Sequence, residues 1–263
     1  MSSLIFLPLF ISLLIYGTTF HFMLLVAAAA LIGLGEFFSF KEERMSFPLR
    51  LFAYIWSALI FFGALLGEPS YILGTLVGGV FLALLIRLKN GEKIKGVVDE
   101  LGFLFLGIFY VSLLISYLIL LRGLDEGALW VLLLFVITWS GDTSAYFAGR
   151  SFGRRKFFEA VSPKKSVEGF IGGFLGGIGA SIIFKGLFFQ EITLADSIIV
   201  GAVIGVLGPL GDLCESLFKR SCEVKDSGVL IPGHGGILDR IDSILFSTPF
   251  VYYFATMNYG AKL

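Results

Sequence analysis

The chain has 263 residues, 57% of them hydrophobic and 29 of them Phe, with a mean hydropathy of +0.91 and a formal net charge of zero. No soluble globular domain needs that much apolar surface for one core, so composition excludes that class and indicates an integral membrane protein. With only Cys214, Cys222, His21 and His234 as soft or imidazole ligands, neither a zinc site nor a structural disulfide is expected.

Apolar runs able to cross a hydrocarbon core of about 30 Å recur along the whole length. They lie at about 4–16, 19–38, 51–66, 70–87, 101–121, 127–148, 169–188, 195–211 and 243–258. The expected fold is therefore all-α, a polytopic bundle of about nine transmembrane helices forming one integral-membrane domain over 1–263. The first run is not preceded by Lys or Arg and ends in no small-residue cleavage site, so no removable signal peptide is expected. Gly17-Thr18-Thr19 separates the first run from the second; the alternative is that the two are one long interrupted helix, which leaves the side of the N-terminus open.

Net neutrality hides a sidedness. Lys41, Arg44 and Arg50 lie in one loop; Arg87, Lys89, Lys93 and Lys95 in the next but one. Arg150, Arg154, Arg155, Lys156, Lys164 and Lys165 follow, then Lys219, Arg220, Lys225 and Arg240. These four alternate loops hold 17 of the 20 basic residues, and the positive-inside rule makes them cytoplasmic.

The sixth run carries an acid, Asp142, about two turns inside its cytoplasmic end, with Thr138, Ser140, Thr143 and Ser144 around it. An acid at that depth needs a partner or water. The loop that follows is rich in cations and reaches Ser162-Pro163-Lys164-Lys165. It is not a Walker A loop: three residues separate Gly149 from Gly153, and Lys156 does not directly follow the second Gly.

The seventh and eighth runs are rich in small residues. "GFIGGFLGGIGA" at 169–180 reads as small-xxx-small helix packing. In "GAVIGVLGPLGD" at 201–212, Pro209 between Gly208 and Gly211 is expected to break the helix just before Asp212.

Beyond this comes "SLFKRSCEVKDSGVLIPGHGGILDRIDS", 216–243, with nine ionisable side chains in an otherwise apolar chain. Asp212 and Asp239 each follow a Gly-rich element at a membrane boundary. The intervening loop can fold back to bring them together, as a Mg²⁺ site completed by substrate phosphates requires. Lys219, Arg220, Lys225 and Arg240 would surround the ion with positive charge, and Gly235 and Gly236 let backbone N–H groups approach an anion. A Ser-His-Asp hydrolase can be drawn from Ser227, His234 and Asp239, but no nucleophile elbow accompanies it.

These residues resemble the phosphatidate cytidylyltransferases, or CDP-diacylglycerol synthases. The family signature, S-x-[apolar]-K-R-x4-K-D-x-[small]-x2-[apolar]-[PG]-x-H-G-G-[apolar]-x-D-R-[apolar]-D, is met by Ser216, Lys219, Arg220, Lys225, Asp226, Gly228, Ile231, Pro232, His234, Gly235, Gly236, Asp239, Arg240 and Asp242. Asp142-Thr143, Ala145-Tyr146, Gly149, Gly153, Ser162 to Lys165 and Glu168-Gly169 look like its two other motifs. The resemblance covers about 138–243. Residues 1–130 match only in being hydrophobic, as variable N-terminal helices, and 131–258 would be the catalytic helices and loops.

The resemblance implies that the phosphate of phosphatidate attacks the α-phosphorus of CTP, giving CDP-diacylglycerol and diphosphate. Asp212 and Asp239 would hold Mg²⁺, with room for a second cation. Ser162, Lys164, Lys165, Lys219, Arg220, Lys225 and Arg240, with Gly235 and Gly236, would bind phosphate. Asp142, Asp226 and Asp242 are either further ligands or partners of the cations, and His234 either binds phosphate or carries a proton.

Membrane lipid surrounds the chain in this reading, which places it in the cell's inner (plasma) membrane, multi-pass, as a homodimer, with no nucleic-acid partner. A CTP-dependent polyprenol or phytol kinase needs similar groups but releases CDP. A transporter would show acids near mid-span and an inverted repeat, and the sequence has neither.

Overall fold

The computed structural model of the chain describes residues 2–41, 45–89, 94–228 and 235–260. In chain order the helices are α1 (Ser2–Tyr16), α2 (Thr19–Ser39), α3 (Phe47–Leu65), α4 (Pro69–Lys89) and α5 (Val97–Gly107). A π-helical segment, Ile108–Leu113, leads directly into α6 (Leu114–Arg122). Then follow α7 (Gly127–Phe152), α8 (Val167–Leu187), α9 (Leu194–Ser221), α10 (Leu238–Leu245) and α11 (Ser247–Tyr259). Among the described residues the regular secondary structure is all helical, and Lys156 and Ser166 form an isolated antiparallel bridge.

Seven helical stretches are long and apolar enough to cross a bilayer, and they coincide with seven of the nine expected spans. The first and last expected spans fall on helices of 15 and 13 residues, short of the roughly 20 that a hydrocarbon core requires. The last is split at Phe246, between α10 and α11.

The expected break at Pro209 does not occur: α9 runs unbroken through it for 28 residues. Proline forfeits one backbone hydrogen bond, whereas unwinding in an apolar setting would strand several, so the helix continues. Helices α7 and α9 also extend past the ends of their apolar runs, to Phe152 and Ser221. Asp142, Asp212 and Lys219 therefore stand on rigid helix rather than in loops.

The chain divides into two compact units, Met1–Leu124 with Ser227–Leu238, and Asp125–Asp226 with Asp239–Leu263. In the first, Phe22, Leu34, Phe37, Phe38, Trp56, Leu104 and Ile108 are fully buried or nearly so. Phe37 stacks on Phe103 at 4.9 Å, and the buried hydroxyls of Ser57 and Ser112 meet at 2.7 Å between α3 and the π segment. The break between α1 and α2 is held by Arg122, which donates to the carbonyls of Leu14 and Gly17 at 3.1 and 2.9 Å.

In the second unit α7, α8 and α9 pack through small residues. A Cβ at Gly172 would fall on that of Ala148, one at Gly173 would lie 3.0 Å from that of Ala145, and one at Gly201 would lie 2.9 Å from the Cα of Ile178. The packing reading of the 169–180 glycines is the observed one. Close approach of these three helices builds the walls of the cavity described next.

Candidate functional site

Helices α7, α8 and α9 enclose a cavity of about 480 Å³. Its polar lining comes from Thr138, Asp142, Tyr146 and Arg150 of α7, Ser162, Lys164, Lys165 and Ser166 of the following loop, and Asp212 of α9. Ile137, Phe157, Phe170, Ile204 and Pro209 make it apolar elsewhere. Charged groups and greasy walls in one space suit an amphiphile with an anionic end.

The loop that brings Lys164 and Lys165 over the cavity is tied down by its own hydrogen bonds. Glu168 accepts the N–H groups of Arg154 and Arg155 at 3.0 and 3.2 Å, and Ser166 caps α8 by accepting from the N–H of Gly169 at 3.1 Å. The Phe157 N–H donates to the carbonyl of Lys165 at 3.0 Å, and Lys156 Nζ donates to that of Pro163 at 2.8 Å. This fixes the backbone from which Lys165 reaches Asp212, its Nζ 2.7 Å from Oδ2. Asp142 lies within electrostatic reach of both.

A second cluster lies further along α9. Asp212, Glu215 and Lys219 fall on one helix face, at spacings of three and four. Lys219, only 7% exposed, donates to Glu215 Oε2 at 3.0 Å and to Asp239 Oδ1. Glu215 is fully buried; its Oε2 accepts from Lys219, and its Oε1 has no hydrogen-bond partner among the described residues. Burial pushes the Asp242 carboxyl above the usual carboxylate range, with the charge of Asp212 adding to the rise and hydrogen bonds from the Ser243 N–H and hydroxyl opposing it. Asp242 is an electrostatic neighbour of both clusters.

Ser162, Lys164, Lys165, Asp142 and Asp212 come together at the cavity; Lys219, Asp239 and Asp242 form the second cluster. Asp212 and Asp239 take different lysines as partners. Arg220, Lys225, Asp226 and Arg240 are exposed, Arg220 donating to the Val224 carbonyl at 3.4 Å. Gly235 adopts a φ of +79°, a conformation that favours glycine. Gly236 is buried against the carboxylate of Glu36. His234 lies outside the described residues.

Two acids had not been singled out from sequence. Glu215 was signalled by its spacing to Asp212 and Lys219 on one face. Glu36 was signalled as the lone acid of a 21-residue apolar helix.

Five carboxyl groups, Asp142, Asp212, Glu215, Asp239 and Asp242, stand here against the two lysines paired with them, Lys165 and Lys219. An all-oxygen donor set with surplus negative charge fits a hard divalent cation such as Mg²⁺. Among the described residues no three His, Cys, Asp or Glu side chains converge to cage an ion. An ion held by one or two carboxylates, with substrate phosphate and water completing its shell, fits that geometry.

Seven helical stretches long and apolar enough to cross a membrane, and a cavity lined by lysines, carboxylates and apolar walls, are what comparison with known proteins has to account for. The sequence model of the cytidylyltransferase family matches residues 1–258. Phosphatidate cytidylyltransferase of Haemophilus influenzae is 35% identical over 270 aligned residues, covering 90% of each chain. That of Staphylococcus haemolyticus is 34% identical, covering 94% of this chain and 92% of its own. That of Bacillus subtilis is 43% identical over 156 residues, which span 59% of this chain and 58% of the relative. The chain belongs to the cytidylyltransferase family.

Proposed function

We propose that the protein is a phosphatidate cytidylyltransferase, joining CTP and phosphatidate to give CDP-diacylglycerol and diphosphate. The observation that carries this reading is the α7–α8–α9 cavity, where Lys164, Lys165, Asp142 and Asp212 share one space with apolar walls in a chain of this family. An alcohol substrate would need a general base. Phosphatidate is already an anionic nucleophile, so the main task is to neutralise and align two phosphates.

An oxygen of the lipid phosphate forms a bond to the α-phosphorus of CTP, the bond from that phosphorus to the β-bridging oxygen breaks, and diphosphate leaves with the electron pair. Lys164 and Lys165 hold phosphate oxygens at the cavity mouth, with Ser162 beside them. Lys219 acts through Asp239, whose carboxylate it orients from a buried position. Arg220, Lys225 and Arg240 are exposed to water and would meet the polyphosphate of CTP from that side, with Gly235 close by in sequence. Asp142 and Asp242 tune the charge around Asp212.

Asp212 and Asp239 would hold Mg²⁺, and a second cation with it, supplying charge neutralisation between the reacting phosphates. In this reading the protein is multi-pass in the inner (plasma) membrane as a homodimer, with its catalytic loops in the cytoplasm where CTP is available.

The test is incubation of purified protein with phosphatidate, Mg²⁺ and CTP carrying radioactive phosphorus at either the α or the γ position. Label from the α position is expected in the lipid fraction, only when phosphatidate is present, with diphosphate released. Transfer of γ-label with release of CDP would replace this reading with a lipid kinase.

A further inference from the structure

Glu36 stands in the last turn of α2, where the helix dipole disfavours an acid and where α2 has no basic residue to offset it. Its carboxylate is engaged elsewhere. Oε1 accepts the N–H of Ile237 at 3.0 Å, and Oε2 accepts the N–H of Leu238 at 2.8 Å and the hydroxyl of Ser227 at 3.4 Å. Leu238 is the first residue of α10, so the two N–H groups belong to the set that a helix start leaves without intrahelical acceptors. Glu36 caps that helix from about 200 residues away in the chain.

Two glycines make room for it. A Cβ at Gly228 would lie 2.6 Å from Glu36 Oε1, and a Cβ at Gly236 would fall on Oε2. The glycine at 236, expected from sequence to admit a substrate anion, has the protein's own carboxylate seated against it. Ser227 and Leu238, at the two ends of a segment rich in motif residues, are thus drawn to one side chain, and the residue after Leu238 is Asp239.

We infer that Glu36 is a positioning residue for the transfer reaction, its carboxylate fixing the two ends of the 227–238 segment and the start of α10 and so setting where Asp239 stands. This rests on the cytidylyltransferase reading. The acid from the N-terminal half does not touch substrate; it acts through backbone geometry at the catalytic end. In Glu36→Gln one amide oxygen still accepts, but the NH₂ group faces the second N–H, leaving that donor unsatisfied.

The experiment measures steady-state kinetics of the full-length protein in detergent micelles for Glu36→Gln, Glu36→Ala, Gly236→Ala and Glu36→Ala with Gly236→Ala. Thermal midpoints and hydrogen–deuterium exchange across 235–242 are measured alongside. Glu36→Gln should lose about tenfold to a hundredfold in kcat, as expected when a buried charge-assisted donor is stranded. Its KM for phosphatidate should stay unchanged, its midpoint should fall by no more than the few degrees that one stranded donor costs while the protein stays folded at the assay temperature, and exchange should rise locally over 235–242. Gly236→Ala, which displaces the carboxylate, should show the same defect, and the double variant should be no worse than Glu36→Ala.

Parental kcat in Glu36→Gln, or a loss that only tracks the amount of folded protein, would overturn the inference. An inactive parent protein would instead overturn the cytidylyltransferase reading.

Discussion

Lys165 Nζ lies 2.7 Å from Asp212 Oδ2, bringing a loop cation and a helix acid together at the rim of the cavity. An arriving phosphate would compete with Asp212 for the lysine, and an arriving cation would compete with the lysine for Asp212. The pair keeps both charges in place without a separate partner for each. Lys165→Met should therefore lower kcat/KM by at least about a hundredfold, since it removes a charged contact to phosphate and leaves Asp212 beside Asp142 without its counter-charge. Lys95→Met should cost far less, because Lys95 is exposed and does not line the cavity. Initial rates over a CTP titration decide it, and equal rates for the two variants would count against the clamp.

Lys219 is held between Glu215 and Asp239 with little access to water, a position suited to fixing a carboxylate rather than to meeting substrate. Removing one partner of a buried pair leaves the other uncompensated, at a cost of about 3–5 kcal/mol. Lys219→Met should thus lower the thermal midpoint as well as activity, and adding Glu215→Gln should recover part of the midpoint but none of the activity. Recovery of both would mean that Lys219 only balances Glu215.

Glycines on α8 differ in what surrounds them, which gives an internal control. A Cβ at Gly172 or Gly176 would collide with Ala148 or Ser144 of α7, whereas one at Gly179 meets nothing within 4 Å. Gly172→Ala and Gly176→Ala should force α7 and α8 apart, with a loss of about 1–3 kcal/mol and of activity. Gly179→Ala should be neutral, or stabilise by about 0.5–1 kcal/mol through reduced backbone freedom. Midpoints in one detergent rank the three.

The proposed sidedness is open to direct test. In a background where Cys214 and Cys222 are replaced, single cysteines placed in the 87–100 and 149–168 stretches should react with impermeant thiol reagents only from the cytoplasmic face. Labelling from the opposite face would invert the topology and move the site with it.

Hydropathy made seven of the long helices legible because a span must be apolar over most of its length, and in that setting length alone nearly fixes the element. Helix ends were less legible. Apolar character stops near 148 and 211, but backbone hydrogen bonding does not, and α7 and α9 run on to Phe152 and Ser221. Pro209 misled for a related reason: a local rule derived from helices in water overstates the tendency to unwind where no water can take the freed groups.

At the site, Lys164, Lys165, Asp142 and Asp212 could be gathered from motif and charge. The partition of Asp212 and Asp239 between separate lysines could not, since it depends on which rotamers reach across α9. The seat of Glu36 against Gly236 was hidden by some 200 residues of intervening chain.

The last prediction concerns Asp212 and Asp239 themselves. Asparagine keeps the size of either side chain and most of its hydrogen bonding but removes the charge that competes with water for Mg²⁺. Both single variants should fold, because Asp212 is partly exposed and Asp239 keeps the buried Lys219 as a donor to its amide oxygen. Turnover should fall by about a thousandfold or more in each, the scale seen when a group acting directly on transition-state charge is lost. If the two acids serve one ion, the double variant should be scarcely slower than either single one, as for residues that act as a unit. If they serve separate tasks, as their different lysine partners would allow, the losses should multiply. Near-normal turnover in both singles at saturating Mg²⁺, with turnover abolished in Asp142→Asn, would move the metal to α7. Binding of Mn²⁺, followed by electron paramagnetic resonance of the unreacted protein, gives the same answer without relying on activity: the bound signal should be lost in Asp212→Asn and Asp239→Asn and kept in Asp142→Asn.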